Sequence, residues 1–118
     1  MIGDMQKWAP NVASIIEHAK QFHPEKEVIS RMVSGDIHRT NYDEVCIRSR
    51  KLASVLVKDG YKEGDVIATL ALNTYRHLEM YYGISGMGAV THTLNFRLHP
   101  EQAVYIINHA EDKIIFVE

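Results

Sequence analysis

The chain has 118 residues, enough for one domain with a modest core. Its 13 Lys and Arg against 15 Asp and Glu give a formal charge of −2 with no basic block, which argues against nucleic acid as a partner, and 46% hydrophobic residues argue against disorder. The single cysteine, Cys46, rules out an internal disulfide and a cysteine-based metal cluster, and fits a reducing, cytoplasmic setting.

Met1–Pro10 reads as an arm with Trp8 as its one large anchor; Asp4 and Lys7 and the lack of an apolar segment argue against a signal peptide. Asn11 is placed to cap a helix whose apolar stripe is Val12, Ile15, Ile16, Ala19 and Phe22, and His23-Pro24 ends it. Glu27–Val33 and Asp36–Thr40 flank Ser34-Gly35 and predict an edge-like hairpin. Asn41-Tyr42-Asp43-Glu44 has the spacing of a capping box, with Asn41 accepting from the third amide and Glu44 reaching back. Val45, Leu52, Ala53 and Leu56 form the buried stripe of the helix that follows. Arg48, Arg50, Lys51 and Lys58 form its wet side, and Gly60 stands just past its end.

Val66–Leu72 is a nearly unbroken apolar run, as expected for a strand covered on both faces. Asn73 can cap a helix through Tyr75, Leu78 and Tyr82, which Gly86 and Gly88 stop. Ala89–Leu94 reads as a second strand buried on both faces. Pro100 opens another helix with Ala103, Ile106, Ile107 and Ala110 inward, and Lys113–Val117 is the third strand. The order β-α-β-α-β predicts an α/β fold with a parallel sheet and right-handed crossovers. The expected organisation is an arm over 1–10, a helix-hairpin-helix over 11–60 and a parallel unit over 61–118. The stretch without charged side chains, Met80–Phe96, is broken by Gly83, Gly86, Gly88, His92 and Asn95, so no membrane span is expected.

No complete chemical site emerges from the residues. Gly83-Ile-Ser-Gly86-Met-Gly88 lies after a helix and before a strand, the wrong order for a phosphate cradle, which needs free amides at a helix N-terminus. No two of the seven histidines have the i, i+4 spacing of a helical metal site. His77 with Glu79 on a helix face and His92 with Thr93 on a buried strand therefore read as hydrogen-bonded or surface groups. Cys46 reads as a buried thiol. Tyr75, Met80, Tyr81, Tyr82 and Met87 have the spacing of core residues, with an apolar ligand pocket as the rarer alternative. Asn95-Phe96-Arg97 follows the second parallel strand at its carboxyl end, where open α/β sheets place ligands; an Arg97–Glu101 ion pair is the plainer reading.

The ordered set of segments resembles one family. Glu27-Val-Ile-Ser-Arg31, Gly35-Asp-Ile-His-Arg-Thr-Asn-Tyr-Asp-Glu-Val45, Gly64-Asp-Val-Ile-Ala-Thr-Leu70, Asn73-Thr-Tyr-Arg-His-Leu-Glu79, Gly86-Met-Gly-Ala-Val-Thr-His-Thr-Leu-Asn95 and Pro100-Glu-Gln-Ala-Val-Tyr-Ile-Ile-Asn-His-Ala-Glu-Asp-Lys113 resemble, in colinear order, the N-terminal part of AMP-forming medium- and long-chain fatty-acyl-CoA synthetases. The resemblance implies a parent enzyme that joins a fatty acid to coenzyme A through an acyl-adenylate made from ATP with Mg2+. The family's phosphate loop, nucleotide motifs, magnesium ligand and catalytic lysine lie beyond residue 118. The resemblance therefore implies no catalytic, cofactor-binding or metal residue within this chain, and an inactive isolated fragment. Met1–Glu27 inherits the family's homodimer region, so a homo-oligomer is expected. Two other readings remain: a non-catalytic dimerisation or binding module on the same scaffold, and a flavodoxin-like nucleotide binder.

Overall fold

The computed structural model describes Gly3, Lys7 and residues 11–118, so the arm reading and the Trp8 anchor lie outside the described residues. The elements are α1 (Val12–Phe22), β1 (Glu27–Arg31), β2 (Ile37–Asn41), α2 (Tyr42–Lys58), β3 (Val66–Leu70), α3 (Tyr75–Gly86), β4 (Val90–Thr93), α4 (Pro100–Ala110) and β5 (Ile114–Val117). An antiparallel pair β1-β2 stands beside a parallel sheet of order β4-β3-β5.

Local chemistry sets most boundaries. The Asn11 side chain accepts from the Ser14 amide at 2.9 Å and starts α1. The hairpin loop is one residue longer than the Ser34-Gly35 turn expected. The Met32 amide donates to the Asp36 carbonyl at 2.8 Å, and Gly35 takes φ +91, which closes a three-residue loop. Asn41 ends β2 and caps α2, accepting from the Glu44 amide at 2.9 Å. The capping box is not reciprocal, however. Glu44 takes the Thr40 hydroxyl instead of reaching back to Asn41, because that hydroxyl lies on the packed face of β2. Asn41→Ala should cost about 0.5–2 kcal/mol by chemical denaturation, and coincident midpoints would show that the cap is idle. The far end of α2 closes as a Schellman motif: Gly60, at φ +96, donates to the Val57 carbonyl, and Tyr61 donates to the Leu56 carbonyl at 3.0 Å.

α3 departs from expectation at its start. Thr74, not Asn73, is the capping position; its hydroxyl donates to Glu118 at 2.7 Å and accepts no hydrogen bond from the helix amides. The Glu118 carboxylate thus sits at the positive end of α3, where an anion is favoured.

Two apolar clusters share α2 and α3. Leu56, Ile67, Ile84 and Ala89 form one; Ile16, Val45 and Cys46 form the other. Ile67 and Ile84 are fully buried, each contributing about 2 kcal/mol of transfer free energy. The α2–α3 contact is close because Gly83 has no side chain: a Cβ there would stand 2.9 Å from the Ser49 carbonyl oxygen. β3 is covered on both faces, as its apolar run predicts. β4 is not. Val90 is 49% exposed and Thr93 is exposed, since β4 is an edge strand of a three-stranded sheet.

Candidate functional site

The chain leaves β3 through α3 to reach β4 on one side, then returns through α4 to β5 on the other. The carboxyl ends of β3 and β4 lie side by side at the end of the sheet where open α/β folds place ligands. A cleft of about 650 Å³ lies there. Val28, Ile29 and Ser30 of β1 form one wall; Asn73, Thr74, His77, Leu78 and Tyr81 form the second; Thr93, Leu94, Asn95 and Phe96 form the third. The hairpin is thus positioned as the cover of the parallel sheet's business end.

Its geometry is that of a binding surface. The His77 Nε2 lies 3.0 Å from the Thr69 hydroxyl, but Thr69 is fully buried, so this hydroxyl cannot reach a substrate. The Asn95 carboxamide oxygen accepts from the Arg97 amide at 2.9 Å and folds the loop after β4. Among the described residues, no carboxylate and no lysine lines the cleft. Such a lining suits an uncharged, largely apolar group and lacks an acid–base pair for chemistry.

The sequence-predicted residues fall as follows. Arg97 does not pair with Glu101; its guanidinium lies 5.5 Å over the Phe96 ring at the rim of the cleft. Tyr81 lines the cleft, Met80 and Met87 pack on one core cluster, and Tyr82 packs on the other. Tyr75 stacks on His38 of β2 with ring centroids 3.8 Å apart. His77 is bound to Thr69, and Glu79 is buried and held by Arg48 Nε at 2.6 Å. Cys46 is buried; burial pushes its thiol pKa up, away from nucleophile behaviour. Arg50 holds the Glu17 carboxyl below its usual range by a direct hydrogen bond.

One pair escaped the sequence reading. The His92 Nδ1 meets both oxygens of Asp112 at 2.9 and 3.0 Å, and the Asp112 side chain is wholly buried. Only the polar residue types inside apolar stretches hinted at it. Among the described residues no group of three or more His, Cys, Asp or Glu could hold a metal ion, and no helix is long and apolar enough to cross a membrane.

Residues 16–118 match the family model of the AMP-binding enzymes, and the chain belongs to that family. Over all its 118 residues it is 47% identical to the medium-chain-fatty-acid–CoA ligase of Ectopseudomonas oleovorans, covering 22% of that protein. It is 45% identical to the 3-methylmercaptopropionyl-CoA ligase of Ruegeria lacuscaerulensis over the same length and share. The chain thus spans about a fifth of the curated relatives it matches, at 22% of each. Its fold superposes on the inhibitor-bound N-terminal domain of FACL13 from Mycobacterium tuberculosis with a TM-score of 0.80 at 23% identity, covering 91% of this chain and 26% of that one. The anthranilate CoA ligase AuaEII, in complex with anthranoyl-AMP, gives a TM-score of 0.82 at 18% identity over 97% of this chain and 21% of that one.

Proposed function

We propose that this chain is the N-terminal part of an AMP-forming fatty-acid–CoA ligase, which converts a fatty acid, ATP and coenzyme A into acyl-CoA, AMP and diphosphate. The carrying observation is 47% identity along the whole chain to a medium-chain-fatty-acid–CoA ligase. In this reading the chain is scaffold: catalytic, nucleotide and Mg2+ ligands belong to other parts of such an enzyme.

The strand-to-helix corners support that assignment. Residues 71–74 and 94–99 contain no glycine, and no described residue lining the cleft is a lysine, whereas a triphosphate cradle uses both. The single buried cysteine supports a cytoplasmic setting, and the exposed Ile15 and Phe22 of α1 support a homo-oligomer built through that helix.

Purified chain given ATP, magnesium, coenzyme A and a fatty-acid panel should release no AMP and form no thioester. Turnover would overturn the scaffold role. Grafting the chain in place of the matching 22% of the Ectopseudomonas ligase should keep that enzyme active. A folded but inactive graft counts against the ligase reading.

A further inference from the structure

The cleft at the carboxyl ends of β3 and β4 is lined by polar groups that the fold leaves unused. Ser30 of β1 is only 5% exposed and lines it. Among the described residues its hydroxyl takes no hydrogen bond, yet it is not sealed off as the Ser49 hydroxyl is, so it opens into the cleft. On the α3 wall, Asn73 leaves the capping position to Thr74, and its carboxamide takes no partner among the described residues. His77 spends Nε2 on the Thr69 hydroxyl at 3.0 Å. Its Nδ1 has no partner among the described residues. Because a hydroxyl either donates or accepts, Nδ1 can present a lone pair or a proton to a ligand. The surface around these groups is apolar, made by Val28, Leu78, Leu94 and Phe96. Charges stand outside the lining. Arg97 lies over the Phe96 ring at the rim, and Glu118 accepts from the Thr74 hydroxyl and pairs with Arg76.

We infer that this cleft binds an uncharged aliphatic carboxamide, with its chain on the apolar walls and its amide group between Ser30 and the Asn73–His77 side. A carboxylate or an ammonium group entering there would give up water for a lining without counter-charge. A pure hydrocarbon would leave the buried Ser30 hydroxyl unsatisfied. The unused groups stand on two walls, β1 and α3, and a carboxamide carries its acceptor and its donors on separate branches, so it can bond to both. The volume of about 650 Å³ is that of a small-molecule site. The inference concerns the chemistry of the cleft and does not rest on the ligase reading.

Titration of the isotope-labelled 118-residue chain with hexanamide tests it, read by backbone amide shifts near neutral pH and at physiological salt. The shifts should map to residues 28–30, 73–81 and 93–96 and saturate with a Kd on the order of 1–10 mM. Hexanoate, isosteric but charged, and hexylammonium should each bind at least about tenfold more weakly. Ser30→Ala and Asn73→Ala should each weaken hexanamide by about three- to tenfold. Ser54→Ala, exposed on α2 and outside the cleft, should leave it within about twofold. The amide spectrum also reports whether each variant is folded, and Asn73, exposed at the mouth, keeps the test decisive if Ser30→Ala does not fold. No saturable shift, shifts centred elsewhere, unchanged affinity in a folded Ser30 or Asn73 variant, or an equal loss in the Ser54 variant overturns the inference. Hexanoate binding as tightly as hexanamide also overturns it, in favour of an anion site through Arg97. Equal binding of hexylammonium does the same, since the cleft would then not select an uncharged ligand.

Discussion

Chemical denaturation of His92→Ala should show a loss of about 3–5 kcal/mol, a large part of what a domain this size has. Asp112 lies just before β5 with its side chain fully inside, and among the described residues its side-chain partner is His92 of β4. These strands are not neighbours, since β3 runs between them and His92 sits in register with Ala68. The pair therefore straps the two edges of the sheet across a small central residue. Removing the imidazole takes away the hydrogen-bond partner of a buried carboxyl group, and that unsatisfied group sets the size of the loss. A double replacement, His92→Leu with Asp112→Leu, should recover most of it, because the cost lies in the unsatisfied group rather than in the missing bond. If His92→Ala and the parent unfold at the same denaturant concentration, the strap carries no load.

Gly83→Ala should destabilise by about 1–3 kcal/mol, although the opposite sign is the ordinary expectation. Alanine in place of glycine inside an exposed helix gains about 1 kcal/mol of propensity. Here the new methyl group would stand 2.9 Å from the Ser49 carbonyl oxygen and 3.1 Å from Leu52 Cδ2. Leu52 can turn aside; a carbonyl fixed in the middle of α2 cannot. The helices must part, and Leu56, Ile67 and Ile84 beneath them lose contact. A thermal midpoint at or above the parent's would show that α2 and α3 separate at little cost.

These two sites mark where the sequence stops being legible. Element order, caps and the parallel sheet were readable because they follow from short-range rules: apolar period, Asn11 and Asn41 before helical stripes, Gly60 and Gly88 where φ is positive. The errors are tertiary. Asn73 looks the better cap, but Thr74 occupies the position and spends its hydroxyl on Glu118, 44 residues away. Glu44 looks free to complete a capping box, but β2 delivers the Thr40 hydroxyl to it first. Ala89–Leu94 has the composition of a central strand, and only the strand order makes it an edge. The cleft draws its walls from residues 28–30, 71–81 and 93–96, and no one segment carries its signature. The hints were the position of Asn95-Phe96-Arg97 at a strand's carboxyl end and the pocket alternative for Tyr81.

No residue of α4 is buried, and the helix ends on Glu111 in the left-handed region at φ 56, a conformation that favours glycine. The protein therefore holds two grades of protection. Amide protons in α4 trade with solvent through a local opening that leaves the rest intact, while those of β3, bonded on both sides, wait for the whole chain to come apart. Asp112 is the boundary between the two, so α4 can fray down to the strap and no further.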